Sequence, residues 1–140
     1  MSSISKFQFK GYRIKKSFIE LEENSNFDNL KISFKVSGLV NQKDNIFLLD
    51  LGVNISNQKE DLKIQVDAIG TYQFDGIDKL EDQEISTFFY VNSSALLFPY
   101  LRAYISTLTN LSGNKSVTLP TMNLTSLGEE LKSNTKFVAE

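Results

Sequence analysis

The chain has 140 residues, 41% of them hydrophobic and 23% charged, with a formal net charge of −2, which suits one domain that buries somewhat under ~70% of its unfolded surface. That charge balance provides no broad cationic surface, so nucleic acid and anionic membranes are poor partners. Cysteine and histidine are both absent, which excludes disulfides, thiolate sites, Ser-His triads and the commonest metal ligand, implies no cofactor, and fits a reducing cytoplasm.

The N-terminal text MSSISKFQFKGYRIKK alternates Phe with polar residues and never forms the apolar core of a signal peptide; nowhere does the chain approach the ~18 apolar residues of a membrane span. Sequons at Asn54, Asn92, Asn110, Asn114 and Asn123 carry no meaning in a chain that is not secreted. Between Phe7 and Leu21 the apolar parity changes twice, from Phe7 and Phe9 to Tyr12, Ile14 and Phe18 and back to Ile19 and Leu21. Each change turns the buried face over, so the spacing predicts a long, bent edge strand with irregularities near Gly11 and Ser17.

Three regular alternations follow. Leu30, Ile32, Phe34 and Val36 share one face; Phe47, Leu49, Leu51, Val53 and Ile55 repeat the pattern, and Leu62, Ile64, Val66, Ala68, Tyr72 and Phe74 repeat it again. The polar linkers NQKDN and NQKED between them suit antiparallel hairpins. After an acidic loop from Asp75 to Glu84, EISTFFYV reads as a short extended piece. NSSALLFPYLRAYISTLTNLSG then reads as a helix with Ser93 or Ser94 as cap and Gly113 as stop, its apolar stripe running through Leu97, Leu101, Tyr104, Leu108 and Leu111. NLTSLGEELKSN predicts a second, short helix with Leu124, Leu127 and Leu131 on one side, and the charged tail 133–140 is expected to fray. Four strands followed by two helices imply an α+β domain, an antiparallel sheet with helices layered on one face.

Pro99 cannot donate to the carbonyl four residues back, which costs about 3 kcal/mol in a helix interior, so the regular helix is expected to begin near Phe98 or to follow a kinked turn. Between Ser94 and Leu111 the only charge is Arg102, and Leu96, Phe98, Tyr100, Ala103 and Ile105 lie outside the main stripe. A helix apolar over most of its circumference needs cover on more than one side, and another copy of the chain supplies it. Leu97, Leu101, Tyr104, Ile105 and Leu108 are the positions assigned to that subunit interface. The competing reading leaves the second face in water, softened by Tyr, Thr and Ser.

The segment Leu97-Phe98-Pro99-Tyr100, followed by Arg102, resembles the motif LFPYAR that heads the main helix of the SecB export chaperones. Phe7 to Phe9 and Phe18 to Glu20 are similar to that family's first strand, Gly76-Ile77 to its Ala-Gly-Ile, and Leu119, Asn123 and Leu127 to its closing pattern. The resemblance covers most of residues 1–140, as a single domain. It implies a four-stranded antiparallel sheet with two helices, dimers of dimers, and an ATP-independent holdase that grips unfolded polypeptides in apolar grooves. On that basis the groove is assigned to Phe27, Tyr72, Phe74, Val117, Leu119, Met122, Leu124, Leu127 and Leu131, each of which, taken singly, also suits ordinary core packing.

Three departures stand out. Asn114-Lys115 replaces a Phe-Pro, the proline falling instead at Pro120; the crossover loop near Glu23 to Asn29 is shorter, with Phe27 in place of a tryptophan. The acidic positions by which the family docks on the motor ATPase SecA are here Lys16 and Gln65, with only Glu20 kept, which disfavours SecA as a partner. The sequence therefore leaves two readings, a general holdase serving export or another pathway, or a specialised chaperone with one client, such as an antitoxin. Catalysis is not expected: Asp75, Asp78, Glu81, Asp82 and Glu84 lie in a turn-rich stretch with no basic or nucleophilic partner at fixed spacing.

Overall fold

The structure, a computed structural model, describes residues 6–120 and 123–139. Its strands are β1 (Phe7–Leu21), β2 (Lys31–Asn41), β3 (Ile46–Ser56), β4 (Leu62–Phe74) and β5 (Thr135–Val138), in spatial order β1-β4-β3-β2-β5. β2, β3 and β4 form an antiparallel meander, and β1 reaches the far side of β4 through the 22–30 crossover. The alternating residues fall where the period of two requires: Leu51, Val53, Val66 and Ala68 are completely buried on one face, while Lys35, Asn54 and Lys63 are exposed on the other.

Both irregularities of β1 are bulges, but the second falls at Lys15 rather than near Ser17, so Phe18 lies on the outer face opposite Gln65 instead of sharing the face of Tyr12 and Ile14. The register of β1 against β4 shifts between Phe9 and Gly11 and again between Ile14 and Lys16, leaving Lys10 and Lys15 as the extra residues. Gly11 takes φ 144°, a conformation that side chains with a Cβ rarely adopt, so the first bulge falls at a glycine. The linkers are built by asparagine. Asn41 Oδ1 accepts from the backbone N–H groups of Lys43 and Asp44 at 3.0 and 3.1 Å. Asn57, only 1% exposed, accepts from those of Asp61 and Leu62 and donates to the Asn26 carbonyl at 3.2 Å, tying the crossover to the β3–β4 turn.

The helical layer covers one face of the sheet. α1 (Asp82–Ile85), a π-helical turn (Ser86–Asn92) and α2 (Ser93–Leu111) run on with helical backbone angles at their junctions. After a connector, a 3₁₀ turn (Leu124–Leu127) leads into α3 (Gly128–Ser133). No helix among the described residues is long and apolar enough to cross a membrane.

Three expectations change. EISTFFYV is helical rather than extended, because a helical turn delivers the fully buried Phe89 onto Phe47, with rings stacked at 4.9 Å, and edge-on to Phe74 at 5.2 Å. Ser93 and Ser94 are buried inside the helix instead of capping it, and Ser93 Oγ donates to the Phe89 carbonyl one turn back at 2.5 Å. The expected four strands become five: Thr135–Val138 pairs in parallel with β2, with Gln42 N–H donating to the Val138 carbonyl at 2.8 Å and Asn134 Nδ2 to that of Val36 at 3.1 Å. Residues 135–138 of the tail are thus hydrogen-bonded to the sheet rather than frayed.

Candidate functional site

Pro99 lies inside α2 rather than at its start, and its position around the helix explains how the helix accommodates it. Having no N–H, Pro99 leaves the Ala95 carbonyl without the bond a helix normally supplies. Both residues are on the exposed flank, where that acceptor is not forced into the core. Spacing of three and four residues puts Val91, Ala95, Phe98, Pro99 and Arg102 on one side of the helix. Together with Asn123, Leu124 and Thr125 they line a cavity of about 300 Å³. A shallower depression of about 240 Å³ continues it past Pro99 and Arg102 to Ala103, Ser106 and Thr118.

The walls are held by polar contacts outside the apolar surface. Arg102 Nε donates to the Leu119 carbonyl at 2.6 Å, fixing the connector against the helix. Val117 N–H donates to Thr109 Oγ1 at 2.8 Å, and that hydroxyl donates to the Ile105 carbonyl at 2.9 Å. Behind them Tyr72 O–H donates to the Ser93 carbonyl at 2.5 Å. Burial pushes the Tyr72 phenol pKa up, and that of Tyr90 likewise, so both phenols stay neutral at physiological pH. The groove itself has one cation and otherwise apolar or neutral walls. It can desolvate an apolar side chain and offer a carbonyl to an N–H; among its described lining residues there is no acid-base pair.

Of the residues assigned to a groove from the sequence, Leu124 lines this cavity. Tyr72, Phe74, Val117, Leu119 and Leu131 are buried in the subunit core, and Phe27 and Leu127 are half-buried against it. Met122 lies outside the described residues. The cavity is thus made mainly by residues of the LFPY segment and the turn before it. The available signal was a proline on the outer flank of a helix, in phase with Val91 and Ala95.

The helix positions assigned to a subunit interface divide. Leu97, Leu101 and Ile105 face the sheet and are completely buried within the subunit, whereas Tyr104 and Leu108 are half-buried. The sheet takes the stripe Ser94, Leu97, Leu101 and Ile105, which leaves Leu96, Tyr100, Ala103, Thr107 and Leu111 outside. Leu96 is 41%, Tyr100 44% and Leu111 79% exposed. Tyr100 stacks obliquely on Tyr12 of β1, centroids 4.9 Å apart, and Tyr104 O–H donates to Ser17 Oγ at 3.0 Å. An exposed apolar ridge therefore runs from α2 onto β1, the end strand of the sheet.

The sequence model of the preprotein translocase subunit SecB family matches residues 13–134. Among solved structures, the chain is similar to a SecB-like chaperone of Mycobacterium tuberculosis, solved in complex with a ChAD peptide from the HigA1 antitoxin. The TM-score is 0.69 at 12% identity, over 84% of this chain and 88% of that one. A protein of unknown function from Streptococcus agalactiae superposes with a TM-score of 0.41 at 10% identity, over 82% of this chain and 97% of that one. No curated protein matches the sequence.

Proposed function

This chain belongs to the SecB family, and from that premise we propose that it is a holdase, binding non-native polypeptides by burial alone, without ATP or any catalytic step. The observation that carries this reading is the apolar groove at Pro99. At roughly 25 cal/mol per Å² of apolar surface, one client aromatic ring buried there contributes a few kcal/mol without sequence specificity. The Ala95 carbonyl, to which Pro99 cannot donate, offers an acceptor for a client backbone N–H. Leu124 and the half-buried Leu127 and Phe27 extend the binding surface, while Tyr72, Phe74, Val117, Leu119 and Leu131 support it from beneath.

A second copy of the chain covers the ridge of Tyr12, Leu96, Tyr100 and Leu111, with Tyr104 and Leu108 at its border; further pairing gives a dimer of dimers, several grooves per particle, and avidity for long clients. We place the protein in the cytoplasm. The antitoxin peptide held by the Mycobacterium tuberculosis chaperone, together with Lys16 and Gln65 at the SecA-docking positions, favours a specialised client over delivery to SecA.

Suppression of aggregation of a chemically unfolded client tests the groove. Ala95 and Thr125 are exposed, so Ala95→Glu and Thr125→Glu charge the cavity without disturbing the core. The account expects both to lose most of the suppression at unchanged thermal stability, and full suppression by the pair would remove the groove from the mechanism. Pull-down of native partners separates the client readings: one dominant partner marks a specialised chaperone, a mixture of nascent export substrates a general one.

A further inference from the structure

The near-neutral sequence conceals a segregation of charge. On the sheet face away from the helices, the register brings together Arg13 and Lys16 of β1, Lys63 of β4, Lys31 and Lys35 of β2, and Lys136 of β5. All six are exposed, and none makes an ion pair among the described residues. The bulge at Lys15 adds a seventh cation, paired with Asp50. Against these, the same face carries three carboxylates, Glu20, Asp50 and Asp67. In a chain of net charge −2, this face is cationic and the remainder correspondingly acidic. The expectation of no broad cationic surface does not hold locally.

The face is also shaped. A trough of about 950 Å³ runs across it, bordered by Lys15, Lys35, Lys136, Gln65 and Asn134. Its floor includes Gly52, where an added Cβ would come within 2.6 Å of Asp67 Oδ1. No helix covers it among the described residues: α2 packs on the opposite face, whose residues Leu51, Val53, Val66 and Ala68 are fully buried.

We propose that this outer face docks an acidic segment of a partner polypeptide in extended conformation, independently of the client groove on the helical side. The spacing selects the occupant. Lys31 and Lys35 lie four residues apart on one strand, about 13 Å, and Lys16 lies three strand spacings from Lys35, about 14 Å. A carboxylate at every fourth residue of an extended chain matches that grid. A nucleic acid, with about one charge per 1.7 Å of duplex, or an anionic bilayer would instead press phosphates onto Asp50 and Asp67 and meet the net negative charge of the whole chain.

The test is titration of the full chain with a labelled peptide of about twelve residues, repeating Glu-Ser-Leu-Ser, against its Lys-Ser-Leu-Ser counterpart. Single-stranded DNA and phosphatidylserine vesicles serve as further arms. The acidic peptide should bind at low salt, weaken steeply as salt rises, and shift amide resonances of Lys16, Lys35 and Gln65 rather than of Ala95. The double change Lys16→Glu with Lys35→Glu should reduce its affinity at least about tenfold and leave aggregation suppression intact. Lys31→Gln, a milder change, should give a several-fold loss. Equal binding of the two peptides, indifference to the charge reversals, or tighter binding of DNA or vesicles would overturn the proposal.

Discussion

The two faces of the sheet are made by the same strands, one residue out of phase, yet they obey different physics. The inner face is Leu51, Val53, Val66, Ala68 and their neighbours, closed by Leu97, Leu101 and Phe89; its side chains interlock, and it carries most of the stability. The outer face is charged, with two isolated ion-pairing partners in Lys15 and Asp50, and surface charges of this kind contribute little to folding. The difference separates two kinds of consequence: inner-face changes should appear in stability, outer-face changes in the choice of partner.

Substitutions sharpen that contrast in decreasing order of effect. Leu101→Ala should lower the unfolding free energy by about 2–5 kcal/mol, the usual range for a fully buried leucine, read from the urea midpoint. Asn57→Ala removes a buried amide that accepts two backbone N–H groups and should cost about 2 kcal/mol. Tyr72→Phe deletes the bond to the Ser93 carbonyl and should cost about 1 kcal/mol. It should also blunt an alkaline effect. Burial raises the Tyr72 pKa in the folded state, so above about pH 10 the unfolded chain loses this proton while the folded chain keeps it, and stability falls as pH rises. Below that pH the group makes no pH-dependent contribution. Lys63→Ala, on the outer face, should stay within about 0.5 kcal/mol. A Lys63 effect comparable to that of Leu101 would break the division.

Local pattern made the sheet legible. Strict alternation reveals β2, β3 and β4, and the parity changes of β1 reveal that it carries two bulges, because a strand with one wet face cannot slip by one residue without exposing its core; the second lies two residues earlier than the text suggests, since Phe18 turns outward opposite Gln65. Features set by distant contacts were not legible. β5 spans four residues and exists because Asn134 reaches the Val36 carbonyl and the β2 edge is open. The π-turn takes its form from Phe89 seating between Phe47 and Phe74, which the alternating text of EISTFFYV disguised. The stripe through Leu97, Leu101, Tyr104 and Leu108 was visible, but which side of it meets the sheet depends on the crossing of the helix, so Leu97, Leu101 and Ile105 went inward. The groove was half legible, since Pro99 announced an interruption while its cavity needed Leu124 from another segment. The cationic face was hidden by a net charge that sums over both sides of the sheet.

The division of labour is tested most directly by placing one photo-crosslinking residue at Ala95 and, in a second protein, at Lys35, then exposing each to an unfolded client. The account predicts that the client is captured from position 95 and escapes from position 35. Equal capture at the two positions, or capture at 35 alone, would contradict it.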